Sequence, residues 1–425
     1  MPRLRAAVSN WTRQSDLPIP TGGRCLLPSL ANAARSSRDA APDLARGASA
    51  ADPLGRHELP ALTSIRGLLA WWVVVFHFAP SAPFHAAAHQ VFIAKGIVAV
   101  DCFFVLSGFV LCHVHPVIIG RRPFGVADFL VSRLARIYPL HLAMLAAFVL
   151  VAASYRLTHP GALGPGAPFA DDRMPGLLRQ LALLHGWFRW GHETAWNVPS
   201  WSISSEWAAY MLAPLAFLWL GHRRPGAAWF CAGLLAALVV CLGEIGLLFG
   251  GAMALPRVLL EFCLGASLRS GLRQGDAWLH RIRSPGLAAG WLAAFGLAWT
   301  AHAGLFLAAM IWLLLLLSLR TGRAQGMLGR IERVAIYLGE TSFAVYMCHA
   351  FILMLWNGVV TPRMHGILLH KVPDALLLAG VILGFACVLH HAVELPAQRA
   401  IRRRFRDWTL SRLVEPGPEA LHGYR

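Results

Sequence analysis

The stretch IRGLLAWWVVVFHF, residues 65–78, holds one arginine, Arg66, one histidine, His77, and no other ionisable side chain. The eleven positions between them rise about 16 Å along a helix, roughly half a hydrocarbon core. A helix this apolar is solvated by lipid or by other helices, so each polar group on it needs a partner or a watery cavity. The stretch predicts a membrane span with two polar stations, one near its start and one well inside.

The rest of the chain agrees. Of its 425 residues, 57% are hydrophobic and only 14% are charged, where a soluble domain carries about 25% charged residues. The mean hydropathy is +0.54. In lipid a helix satisfies its own backbone, so the expected fold class is all-α, a polytopic transmembrane helical bundle. The net charge of +17 would suggest nucleic acid in a soluble chain. Here it follows from arginines retained on cytoplasmic loops, and no nucleic-acid partner is expected. Seven of the eight cysteines lie in apolar runs and none forms a C-x-x-C pair. Neither a disulfide framework nor a metal site is expected, and no H-E-x-x-H spacing occurs.

Apolar runs recur from residue 60, at 60–79, 96–115, 137–155, 200–220, 226–244, 253–270, 286–302, 304–320, 334–356 and 374–395, which predicts about ten spans. Residues 1–58, rich in Ala, Arg, Ser, Gly and Pro, read as a disordered cytoplasmic extension. Residues 59–405 form the membrane domain and 406–425 a cytoplasmic tail. With the N-terminus inside, the inner segments carry 30 Lys and Arg and the outer segments 8. That split places both termini in the cytoplasm. The stretch 177–187 is too short and polar to span, so it lies in the interface or re-enters. Trp187, Trp190, Trp196 and Trp201 read as an interfacial belt.

With this orientation the polar residues fall at two depths. His77, Asp101, Glu206 and His349 come from four different spans and lie toward the outer side. Arg66, Arg133 and Arg136 lie at the inner face, with Glu394 near enough to pair with one of them. Three arginines at one face suit an anion or phosphate. Each residue also has a plainer reading. The histidines and acids can be satisfied core groups, the arginines positive-inside anchors, and Ser107–Gly108 a small-residue helix contact. His390–His391 reads as packing. Intramembrane His, Asp and Glu also make proton relays, so a proton-coupled transporter is the rival class.

Six motifs in order are similar to those of the acyltransferase-3 family of integral membrane acyltransferases. Arg66 and His77 fit its Arg-x10-His hallmark, and VAVDCFFVLSGFVL resembles its second-span motif. SRLARIYPL resembles R-x-x-R-I-x-P, with Arg133 and Arg136. WSISSEWAAYM supplies Glu206, TSFAVYMCH supplies His349, and VELPAQR matches the final E-x-P. The resemblance implies a multi-pass protein of a bacterial inner membrane that moves an acyl group, commonly acetyl, from cytoplasmic acyl-CoA. Arg66, Arg133 and Arg136 would hold the CoA phosphates. His77 would act as general base or as covalent nucleophile, and Glu206, Asp101 or His349 would assist. The implied acceptors are sugar hydroxyls of surface polysaccharide, lipopolysaccharide or another glycoconjugate, and also small molecules such as antibiotics. Only about 30 residues follow the last span, so no fused SGNH-type domain is expected. The chain then acylates its acceptor directly or passes the group to a separate extracytoplasmic protein.

Overall fold

The computed structural model of the chain describes residues 59–78, 87–115, 125–159, 174–187, 196–247, 253–272, 277–320, 325–360 and 372–414. The expected extension over 1–58 lies outside them, as does Trp190. All described helices belong to the unit that begins at Ala51, and no described residue is in a strand.

The helices are α1 (Pro60–Phe78), α2 (Ala87–Ala94), α3 (Gly96–Val114), α4 (Gly125–Thr158), α5 (Met174–Leu181), α6 (Trp201–Gly221) and α7 (Pro225–Glu244). Then come α8 (Ala254–Gly271), α9 (Ala277–Ala298), α10 (Ala303–Ser318), α11 (Gly326–Glu340), α12 (Ser342–Leu355), α13 (Val372–Leu389) and α14 (Leu395–Val414). A π turn at His390–Glu394 joins the last two. α14 runs through residue 406, where the sequence reading began a tail.

Each of the ten expected spans falls mainly on helix, but among the described residues six helices are long and apolar enough to cross a membrane by themselves, or seven with one bent pair. The differences have physical causes. α8 carries Arg257, Glu261 and Arg269, all 3% exposed or less, so it is a polar helix kept inside the bundle. α9 begins with Arg281 and Arg283, and α10 has only 16 residues. The expected span 334–356 is broken at Thr341, where α11 and α12 meet at a 60° bend. α11 buries Gly329 and Gly339 and leaves Met327, Leu328, Ile331 and Val334 exposed, so it is a surface-lying amphipathic helix. Large apolar side chains elsewhere also face outward, such as Phe230 (72% exposed), Leu292 (74%) and Leu376 (68%). Hydrocarbon solvates such a surface and water does not.

Lipid tails remove the hydrophobic drive between helices, so close packing and polar contacts hold the bundle. At the α3–α8 crossing Gly108 lies against the Phe262 carbonyl and Gly265 against the Val105 carbonyl, with no room for a Cβ on either. The small-residue reading of Gly108 is thus correct. α1 crosses α11 the same way, Gly339 lying on the Thr63 carbonyl and Gly67 on Leu338. These two crossings fix α1 and α3, which carry Arg66, His77, Asp101 and Ser107.

The stretch 177–187 folds back onto the start of α6. Ser204 Oγ donates to the Leu183 carbonyl at 2.6 Å, Gly186 N–H donates to Ser204 Oγ at 2.9 Å, and Ser205 Oγ donates to the Gly186 carbonyl at 2.8 Å. Trp187 Nε1 donates to the Ser204 carbonyl at 2.8 Å and Trp196 is buried. Trp196 packs inside the bundle rather than in the expected interfacial belt, while Trp187 is partly exposed and tied to α6.

Candidate functional site

The polar residues of α1, α3, α4, α6 and α12 build a cavity of about 150 Å³. Arg66 enters from the second turn of α1. Arg133 and Arg136, three apart and therefore on one face of α4, enter beside it. Glu206 and Tyr210, four apart on α6, face them. Glu206 is fixed from two sides. Ser107 Oγ donates to Glu206 Oε1, and Tyr210 O–H donates to the same oxygen at 2.6 Å. Glu206 therefore belongs with the arginines and not with the histidines, where counting along the spans had placed it. Ser107 and Tyr210 are site residues that the sequence reading missed or assigned to packing. The i, i+4 spacing of Glu206 and Tyr210 was the signal for the second.

Arg136 also forms an ion pair with Glu394, which is 1% exposed. Glu394 Oε2 receives a second bond, 3.0 Å from His390 Nδ1. The expected pairing of Glu394 with an inner arginine is found, and His390 is absorbed into it. Arg66 interacts electrostatically with Glu206, Glu394 and Arg136. Arg133 has a hydrogen bond only to its neighbour, Ser132 Oγ at 3.2 Å, among the described contacts.

A second polar cluster joins α1 to α12. Nδ1 of His77 lies 3.2 Å from Nε2 of His349, with ring centroids 5.0 Å apart. His349 is fully buried, and its Nδ1 lies 2.7 Å from the Tyr346 carbonyl. A carbonyl only accepts, so this Nδ1 carries the proton and Nε2 of the neutral ring is an acceptor. His77 Nδ1 also lies 3.0 Å from the Val73 carbonyl. It faces two acceptors and therefore donates. The assignment leaves an unprotonated lone pair on Nε2 of His77, the atom a base needs. Tyr346 connects the clusters: its hydroxyl is 2.7 Å from Ser202 Oγ, and both residues line the arginine cavity.

Asp101, expected beside the histidines, is held elsewhere. Its carboxylate accepts from Arg257 Nε of α8, and Glu261 Oε1 is 3.8 Å from the same nitrogen. All three are buried, and Arg257 also lies over the Trp201 ring at 5.7 Å. The described contacts make Asp101 a clamp between α3 and α8.

The family model described as an acyltransferase domain matches residues 59–391, which contain both clusters. The chain belongs to the acyltransferase-3 family. Acyltransferase MdmB of Streptomyces mycarofaciens is 32% identical over 381 residues, which are 81% of this acyltransferase and 93% of that protein. Protein 2 in picA locus of Rhizobium radiobacter is 38% identical over 93 residues, 20% of this chain and 44% of that one. No solved structure matches this acyltransferase.

Proposed function

We propose that this membrane acyltransferase moves an acyl group, acetyl in the first instance, from cytoplasmic acyl-CoA to a hydroxyl of a sugar or glycoconjugate at or beyond the outer face. The observation that carries this reading is the placement of Arg66 and His77 on one helix. Arg66 stands in the arginine cavity, His77 stands against His349, and about 16 Å of helix separates them. A donor with a polyanionic head and a long thioester arm suits that spacing. The charge split supports a chain of ten membrane-crossing or membrane-embedded segments with both termini cytoplasmic, which puts the arginines on the side where acyl-CoA is made. The bacterial relatives fit an inner-membrane location.

Arg66, Arg133 and Arg136 offer guanidinium forks to phosphate oxygens. His77 Nε2 takes the proton of the acceptor hydroxyl while that oxygen attacks the thioester carbonyl. The C–O bond forms, the C–S bond breaks, and the proton on His77 passes to the departing thiolate to give free CoA. His349 acts through His77, holding its tautomer from the buried side. Ser202 and Tyr346 form the polar path between the two clusters.

The test is transfer of isotope-labelled acetyl from acetyl-CoA by the full chain in nanodiscs, with a panel of sugar and glycolipid acceptors. Labelled ester and free CoA should appear in equal amounts. Proton flux across proteoliposomes without CoA release would favour the transporter reading.

A further inference from the structure

Beside the cavity, on its exposed side, lies a basic group that none of these steps uses. Arg402 sits on α14, which packs against α4. It interacts electrostatically with Arg136 and with the exposed Asp128, and Arg133 interacts with it in turn. His115, the residue that follows α3, interacts with both Arg133 and Arg402. Glu394 answers Arg136 and Asp128 answers Arg402, but no carboxylate is bonded to Arg133 among the described contacts. With Arg66 and Glu206 included, four guanidinium groups face three carboxylates, and an anion among them removes the remaining repulsion.

A second observation points to the same place. Nε2 of His115 is buried and has no hydrogen-bond partner. A buried polar atom without a partner carries a desolvation penalty. Protonated on Nε2, the His115 ring offers one N–H donor there. Two guanidinium groups and one ring N–H lie within electrostatic reach of one another. A tetrahedral dianion with several acceptor oxygens matches that donor set; a carboxylate, with two, does not fill it.

We infer that Arg402, Arg133 and His115 form a phosphate-monoester subsite, and that its occupant is the ribose phosphate of the acyl-CoA donor. This assignment rests on the acyl-CoA reading above and goes beyond it. It makes the C-terminal helix a determinant of donor specificity and places the adenosine end of the donor between α4 and α14.

The discriminating pair of probes is acetyl-CoA and acetyl-dephospho-CoA, which differ only in that phosphate. With the full chain in phosphatidylcholine nanodiscs, the wild type should show a KM for the dephospho donor higher by about tenfold or more. Arg402→Ala should raise the KM for acetyl-CoA and collapse the ratio of the two KM values toward one. Arg402→Lys should restore part of the ratio, since charge remains and the fork is lost. Arg404→Ala, exposed on another face of α14, should keep the wild-type ratio. Equilibrium binding of CoA and dephospho-CoA reads the same ratio without turnover. Equal affinity of the wild type for the two probes overturns the subsite while leaving CoA as donor. A ratio retained in Arg402→Ala also overturns it. So does an Arg402 effect that appears only when phosphatidylglycerol is added, which would assign the cluster to a lipid headgroup. Absence of binding by either nucleotide removes the acyl-CoA reading itself.

Discussion

Nε2 of His349 lies 3.2 Å from Nδ1 of His77, and the two residues, on α12 and α1, are 272 positions apart in the chain. The buried partner fixes which nitrogen of the half-exposed partner is free. His77→Ala should therefore lower turnover by about 10²–10⁴-fold, the usual range for a lost general base. His349→Ala should lower it by less, because the base remains and only its tautomer is released. Measured pH–rate profiles should separate them: His77→Ala loses the limb that reports the base, and His349→Ala keeps the limb but shifts it. Equal residual rates and identical profiles would mean that neither ring touches the proton in flight.

Arg133 and Arg136 should fail in different ways, although they are neighbours on one helix face. Arg133 has no described carboxylate bond, so Arg133→Ala should leave folding intact and weaken donor binding by about ten- to a hundred-fold. Arg136→Ala leaves Glu394, 1% exposed, with only His390. Breaking a fully buried pair costs about 3–5 kcal/mol, and less here because a fifth of the Arg136 side chain remains exposed. Thermal unfolding in detergent should show a large drop for Arg136→Ala and a small one for Arg133→Ala. The reverse order would contradict the pairing.

Gly265 lies on the Val105 carbonyl at the α3–α8 crossing. Gly265→Val should force the helices apart, costing about 1–3 kcal/mol or more, and should also disturb the bond between Arg257 and Asp101 across the same interface. Gly233, with open space around its Cβ position, should accept Val with little change in unfolding temperature.

Tyr210→Phe removes one of the two hydroxyls that donate to Glu206 Oε1. A hydrogen bond to a charged acceptor contributes about 1.5–3 kcal/mol. The variant should bind acyl-CoA less well, because a less anchored Glu206 is free to reach Arg66 and occupy its charge. An unchanged KM would show that the carboxylate is held by Ser107 alone.

In the proposed orientation, which rests on the charge split between loops, residues 223 and 325 face the cytoplasm. Single cysteines at these positions in a cysteine-free background should resist an impermeant maleimide in intact cells and react after permeabilisation. Labelling of either from outside would invert the orientation and separate the arginine cavity from the cytoplasmic donor.

The arginine cavity and the histidine pair were legible before the fold because both follow from depth. Arg66, Arg133 and Arg136 sit near span ends on the same side, and His77 and His349 are comparably deep on two spans. Depth alone failed for Glu206, since a cavity is lined by long side chains from neighbouring levels. It failed for Asp101 because the deciding partner, Arg257, lies 156 residues away on a helix that pairs with α3 only in the fold. The bend at Thr341 was hidden for a different reason. Apolar counting sums residues and does not register that α11 presents its apolar face sideways. Ser107 was read from its neighbour Gly108 as packing, which is right for the glycine and incomplete for the serine.

The measurement that tests the division of labour along α1 most directly compares Arg66→Ala with His77→Ala in one preparation, reading acetyl-CoA binding and labelled acetyl transfer side by side. His77→Ala should bind acetyl-CoA with wild-type affinity and transfer almost nothing. Arg66→Ala should bind weakly and recover part of its rate at high donor concentration. If both variants lose binding and rate together, or if His77→Ala transfers acetyl near the wild-type rate, the helix does not link a donor site at Arg66 to a reacting centre at His77.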